Sequence, residues 1–286
     1  MFDFPGIYEE ADSISNRTQK RYLRVLKIFL SLLFVSSVLF TYFSNIWEVK
    51  LLNAIISLGI LALSFIFCFV NFQGIWYNAR AVAESIKTIS WRYALKAEPY
   101  DIADSEAKSL LLGTMKNIVN MNHEFKKNIS ADYSSHEQIP VNMTVIRALS
   151  THERLEYYHK NRIIDQREWY KNKSIYNNKR SVAFFILLIG ISVFLSIGLF
   201  LDLDRSNKVV YPISVLLSII SIIFTWVQTK KYRELDRSYA LASHEIGFIA
   251  TIKDQVHNDK ELSDYIIDSE NAFSREHTQW IARKDN

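Results

Sequence analysis

Four long apolar runs, paired across two short polar turns, restrict this chain to very few folds. Val25–Phe43 carries one charge, Lys27, and Leu51–Ala79, Ser181–Leu201 and Val209–Thr229 carry none. A helix needs about 20 residues to cross a hydrocarbon core of ~30 Å. Each run reaches or nearly reaches that length. A buried helix of a soluble protein rarely goes ~18 residues without a charge, so a soluble core does not account for these segments. The predicted spans are 25–43, 51–72, 181–201 and 209–229.

Almost half the residues, 49%, are hydrophobic, yet the mean hydropathy is near zero. The apolar residues are segregated into blocks and the remainder is strongly polar. Seven Gly and four Pro in 286 residues leave little turn chemistry for sheets or for phosphate-cradling loops. The expected fold is an all-α membrane protein of two transmembrane helical hairpins with long cytoplasmic helical extensions. The single cysteine, Cys68, excludes an intrachain disulfide and gives no sign of an oxidising compartment. The net charge of +4 comes from basic clusters beside the runs, a membrane-protein distribution and not a nucleic-acid footprint. Met1–Asp12 is acidic and aromatic and the first run starts only at Val25, so the first run reads as an uncleaved span.

The two hairpin turns, Ser44–Lys50 and Asp202–Lys208, are poor in cations. The other flanks are richer: Arg17 to Lys27, Lys171 to Arg180, Lys230 to Arg237 and, more weakly, Arg80 and Lys87. The positive-inside rule then puts both termini and the middle segment in the cytoplasm. Trp47 and Trp226 suit interfacial belts.

No Pro occurs in the second run before Pro99, so one helix is expected from the second span to Glu98-Pro99. Its stripe of Trp76, Ala79, Ala83, Ile86, Ser90, Tyr93 and Ala97 is coiled-coil-like. The fourth run is expected to continue in the same way through Tyr239, Ala242, Ile246, Ile249 and Val256, followed by an amphipathic stretch with Leu262, Ile266, Phe273 and Trp280. Ser150 to Glu153 reads as a capping box, with Glu156 and Lys160 as an i,i+4 pair. A helix is expected from Asp104 to about Asn128.

The segment 131–140 reads as the linker between two modules, 1–130 and 141–286. The second module has an entry helix over 143–180 and C-terminal helices to 283. Both hairpins point the same way, unlike the inverted repeats of transporters.

Two stretches resemble a known family. Trp76-Tyr77-Asn78-Ala79-Arg80 through Lys87, then Trp91-Arg92-Tyr93 and Lys96 to Tyr100, are similar to the segment after the hairpin in SLATT domains. Met143 to Arg147, Glu153-Arg154, Tyr158, Arg162 to Arg167, Trp169-Tyr170 and Lys173, with Phe273, Glu276 and Trp280, resemble the entry helix and tail of another SLATT subfamily. These are two-transmembrane effector domains associated with SMODS nucleotidyltransferases and SLOG sensors. The resemblance implies a pore-forming or membrane-disrupting effector of a bacterial nucleotide-signalled antiphage system that works by abortive infection. It implies a lipid bilayer, a homo-oligomer and a nucleotidyltransferase product or SLOG-type sensor as partners. It brings no catalytic residue and no cofactor. The alternative is a non-conducting membrane anchor or scaffold for a cytosolic signalling partner.

Polar stripes mark the spans. Ser214, Ser218, Ser221 and Thr225 share a face of the fourth, and Asn53, Ser57, Ser64, Cys68 and Asn71 a face of the second. Ser192 and Ser196 mark the third, Ser37 and Thr41 the first. Such stripes either pack helices together or line a pore. No acid or base lies deep in a span, which disfavours a proton-coupled carrier.

Outside the spans, Arg80, Glu84 and Lys87 form either a solvated ladder or a contact for a signal or partner. Arg154, Tyr158, Arg162, Asp165 and Trp169 follow one side of the entry helix. They either stack on a nucleotide or pack on a neighbouring helix with Arg162–Asp165 as an internal pair. His152, Glu156 and His159 have helical spacing but no HExxH motif, so no metal is expected. There is no Gly-rich phosphate loop, nucleophile elbow or paired Cys motif, and no enzyme is expected.

Overall fold

Long runs without Pro, rich in Leu, Ile, Ala and Lys, favour helix throughout, and every described element of the computed structural model is helical. The structure describes residues 2–202 and 212–282, with side chains except at 201–202 and 274–282. The predicted turn at 203–208, the start of the fourth run at 209–211, the chain end beyond 282 and the side chains of Glu276 and Trp280 lie outside the described residues.

The elements are α1 (Gly6–Phe43), α2 (Trp47–Phe69), α3 (Phe72–Ala94), α4 (Asp104–Met121), α5 (His123–Asn128), α6 (Val141–Arg147) and α7 (Thr151–Tyr158). A π-helical segment, His159–Ile164, joins α7 to α8 (Asp165–Asp202). Then come α9 (Ile213–Lys230), α10 (Tyr232–Thr251), a 3-10 turn (Ile252–Gln255) and α11 (Asp259–Ala282). The chain divides into two compact units. A polar unit takes the residues up to Lys20, Phe72–Lys173 and those from Ser238 on; an apolar unit takes Arg21–Asn71 and Ser174–Arg237.

The second and fourth runs do not continue as single helices, contrary to expectation. The first breaks at Val70, extended at φ −99 and ψ 110, before α3 restarts at Phe72. A β-branched Val followed by Asn, whose amide competes for backbone hydrogen bonds, weakens a helix there. The fourth breaks at Lys231, left-handed at φ 49, a conformation that costs a residue with a Cβ roughly 1–2 kcal/mol. The uninterrupted helices are the entering ones: α1, and α7 through the π segment to α8.

Two further ends move inward. The helix expected to reach Asn128 breaks at Asn122, whose amide donates to the Ile118 carbonyl (2.8 Å). Helix α3 stops at Ala94, ahead of Pro99. Lys96, at φ 55, closes it with bonds from Lys96 N–H to Tyr93 O (3.2 Å) and from Ala97 N–H to Arg92 O (2.9 Å). That is a Schellman closure with lysine where glycine is usual.

In the polar unit α3 is the central helix, packed against α4, α5, α6 and α11. Ala79, Val82, Ala83, Ile86 and Ser90 are fully buried, so the predicted stripe is real but faces several helices instead of one partner. Its small residues let neighbouring backbones approach. Phe2 stacks on Trp91 with centroids 3.9 Å apart, and Tyr158 meets Trp91 edge-on at 5.6 Å.

Residues 130–138 are tied to the start of α1. Ser130 N–H and Oγ–H donate to the buried Glu10 carboxylate (2.8 and 2.9 Å), and Gly6 N–H donates to Glu137 O (3.0 Å). A Cβ on Gly6 would lie 2.8 Å from His136 Cβ, so this contact requires glycine.

The apolar unit inverts ordinary burial. Phe40 is 67%, Phe69 81% and Phe200 77% exposed. Burying apolar surface is worth about 25 cal/mol per Å², so helices that display such faces need a lipid environment. Helices α1, α2, α8 and α9 are each long and apolar enough to cross a membrane.

Candidate functional site: a buried charge cluster in the polar unit

The charged residues of α3 fall three and four apart and so share a face. Arg80 Nη2 meets Glu84 Oε1 at 2.6 Å and Arg80 Nη1 meets Asp12 Oδ1 of α1 at 3.4 Å, with Lys87 Nζ 3.8 Å from Glu84. Burial pushes the Lys87 ammonium below the ordinary lysine value. Glu84 opposes the shift, and Arg162 and Arg80 add to it. Beside them the Tyr8 hydroxyl is pushed up to about 12 by burial, then by the Asp12 and Glu84 carboxylates.

Arg162 leaves the chain from the π segment, 2% exposed. Single π turns recur at functional sites. Its guanidinium grips Glu270 of α11 through Nε–Oε1 and Nη2–Oε2, both 2.8 Å, and lies 4.5 Å over the Phe273 ring. The Glu270 carboxylate is fully buried. It also accepts from Tyr158 Oη (3.0 Å) and from Thr88 Oγ1 of α3 (3.0 Å). Burial, then the Glu270 charge, hold the Tyr158 hydroxyl well above its ordinary value. Arg162 is held charged by Glu270 against the cost of burial. The expected Arg162–Asp165 pair is not formed: Asp165 stays exposed to water, while Glu270 offers a desolvated bidentate acceptor.

Arg154, 3% exposed, donates to Leu95 O (2.6 Å), Leu149 O (3.2 Å) and Asp259 Oδ1 (2.8 Å). Arg147, 2% exposed, donates to Tyr93 O (2.7 Å), Ile102 O (3.0 Å) and Asp104 Oδ1 (2.7 Å). Trp169 is part-exposed, edge-on to Tyr170 and Tyr239, with Lys173 Nζ 5.6 Å from its centroid. The capping box of Ser150 and Glu153 is present. Glu156 pairs with Lys253 (2.6 Å) instead of Lys160, and His159 Nδ1 lies 3.4 Å from Tyr265 Oη. Among the described residues no three His, Cys, Asp or Glu side chains converge as metal ligands.

The arrangement therefore joins Arg80, Glu84, Lys87 and Arg162 in one neighbourhood and leaves Arg154 and Trp169 outside it. Sequence reasoning missed its acid Glu270, and likewise Asp259 and Asp104, the partners of Arg154 and Arg147. The available signal was Glu270 itself, a charge at i+8 from Leu262 on the apolar Leu262–Ile266–Phe273 stripe.

Asp104 and Asp259 have carboxyls held below the ordinary aspartate value. Arg147 is the main cause at the first, and at the second a hydrogen bond from Thr151, ahead of Arg154. A folded value below the unfolded one gives stability that is present above about pH 4 and is lost as pH falls through the folded values. Acid titration of the thermal midpoint is expected to show this loss below pH ~4, reduced when Asp259 is replaced by Asn.

In the apolar unit the hydroxyl stripes divide. Thr41 Oγ1 and Ser214 Oγ are 2.6 Å apart, and Ser37 Oγ donates to Ser214 O (3.2 Å), linking α1 to α9. Ser57, Ser64, Ser196, Ser218, Ser221 and Thr225 donate to carbonyls of their own helices. Ser192 and Ser196 line an open groove of about 650 Å³ along α8 with Phe185, Ile189, Val193 and Phe200. Asn53 Oδ1 is buried without a hydrogen-bond donor among the described residues.

A family model described as SMODS and SLOG-associating 2TM effector domain 3 matches residues 5–155, and one for domain 1 of the same description matches 158–280. No curated protein and no solved structure matches the chain. Trp91, Tyr93, Arg147, Arg154, Tyr158 and Arg162, among the residues by which the sequence resembles this family, are buried. With four apolar helices and two successive matches that together cover most of its length, the chain belongs to the SMODS and SLOG-associating two-transmembrane effector family.

Proposed function

We propose that this protein is a pore-forming or membrane-disrupting effector of a bacterial nucleotide-signalled antiphage system. It sits in the inner membrane with both termini in the cytoplasm and arrests the infected cell by breaching the bilayer. The observation that carries this reading is the pair of effector-domain matches on a chain with four apolar helices. Four helices enclose little water, and lipid-exposed backbone must be satisfied internally, so a conducting state is an oligomer. The outward placement of Ser192 and Ser196 on the open α8 groove supports this, because a polar lining from those hydroxyls requires a facing copy. The trigger is a nucleotidyltransferase product or a SLOG-type sensor. It opens the pore only by binding the open state more tightly than the closed one. Arg80, Glu84 and Lys87 are the part-exposed members of the cluster that meet it, while the buried Arg162 holds that surface in place.

Dye release from proteoliposomes, with and without cyclic oligonucleotides, tests this. The expected result is nucleotide-dependent release that Ser218→Leu reduces severalfold while membrane insertion stays intact. Unchanged release from the variant would remove Ser218 from the pore, and no release under any condition would leave the scaffold reading.

A further inference from the structure

The apolar unit contains a second arrangement that the pore reading does not use. Helix α9 ends at Lys230, and one turn earlier Trp226 presents its ring to two ammonium groups from different helices. Lys230 Nζ is 5.4 Å from the ring centroid and Lys27 Nζ of α1 is 5.5 Å from it. Tyr232, at the start of α10, lies within electrostatic range of Tyr176 and Arg180. Arg180 of α8 sits 5.4 Å over the Tyr176 ring, and Tyr232 is buried against Phe184, their rings stacked at 5.7 Å. Three helices thus bring Lys27, Arg180 and Lys230 around an aromatic floor of Trp226, Tyr232 and Tyr176.

None of the three cations has an acidic partner among the described residues. Nearby Arg21, Arg24, Lys179, Lys231, Arg233 and Arg237 outnumber the acids Glu234 and Asp236, and Asp236 is engaged by Ser174 Oγ (2.7 Å). A cation over an aromatic ring gains little at an exposed site, and two like charges drawn to one ring repel. An anion between them turns that repulsion into attraction. Basic pockets between transmembrane helices accept phosphate-bearing head groups for this reason.

We propose that Lys27 and Lys230 over Trp226, with Arg180 over the neighbouring Tyr176, form a binding site for a phosphate-bearing anion at the end of α9. The anion comes from a lipid head group or from a free phosphate compound. The proposal does not rest on pore formation.

The test uses the full-length protein in phosphatidylcholine nanodiscs with or without phosphatidylglycerol. Retained lipid is counted by native mass spectrometry, and pyrophosphate binding is measured separately. For a lipid source, the wild type retains phosphatidylglycerol selectively. The triple variant Lys27→Gln, Arg180→Gln, Lys230→Gln then loses about tenfold or more of that affinity, while Lys50→Gln, in the first turn of α2, keeps it. For a free-phosphate source, pyrophosphate binds the wild type in pure phosphatidylcholine and not the triple variant, without phosphatidylglycerol preference. Lys27→Arg with Lys230→Arg retains binding in either case, which separates lost charge from lost folding. A triple variant that matches the wild type for both ligands overturns the proposal.

Discussion

Arg162→Met is expected to destabilise the protein by about 3–5 kcal/mol, because it strands the Glu270 carboxylate without its cation in a fully buried position. For a unit of this size that is a fall of roughly 10 °C in thermal midpoint, readable by scanning fluorimetry in detergent. Glu270→Gln strands the guanidinium instead and is expected to cost a similar amount. The double variant Arg162→Met, Glu270→Leu removes both charges and should recover much of the loss, since apolar replacement of a whole buried pair is often neutral. Thr88 and Tyr158 then lose their shared acceptor, which keeps recovery incomplete. If either single variant melts with the wild type, the pair does not hold α11 to α3 and the π segment.

Arg147→Met is the second large effect, at about 2–4 kcal/mol. The arginine fills three acceptors at once, Tyr93 O, Ile102 O and Asp104 Oδ1, and lies 4.9 Å over the Tyr93 ring. Each buried acceptor left without a donor costs about 1–3 kcal/mol, although Tyr93 O keeps the Lys96 N–H. Arg147→Lys is expected to fall between, because a compact ammonium cannot reproduce the planar fork. A lysine variant that melts with the wild type would show that charge alone, and not the fork, joins α6 to α3 and α4.

The spans, the all-α class and the capping box at Ser150 were legible because each follows from local pattern: run length, missing turn residues, and a Ser-x-x-Glu spacing. The helix breaks at Val70 and Lys231 were not. Neither carries Pro or Gly, and a lysine in the left-handed region has no sequence signature of its own. The cluster was half legible. Helical spacing brings Arg80, Glu84 and Lys87 together. Nothing local in the entry helix reveals that Arg162 reaches an acid 108 residues away. The nearest candidate, Asp165, was the wrong partner because local spacing does not weigh desolvation. Arg154 and Arg162 are candidate signal contacts by sequence, with helix packing as the alternative, and in the fold both of them, like Arg147, spend donors inside it.

The proposed function requires that this protein conduct ions across the bilayer. Purified full-length protein incorporated into planar bilayers under voltage clamp tests it most directly, with and without cyclic oligonucleotide. Discrete, nucleotide-dependent current steps are expected, with a frequency that rises more than linearly with protein density, as an oligomeric pore requires. A bilayer that stays silent while carrying correctly inserted protein and bound nucleotide would contradict it.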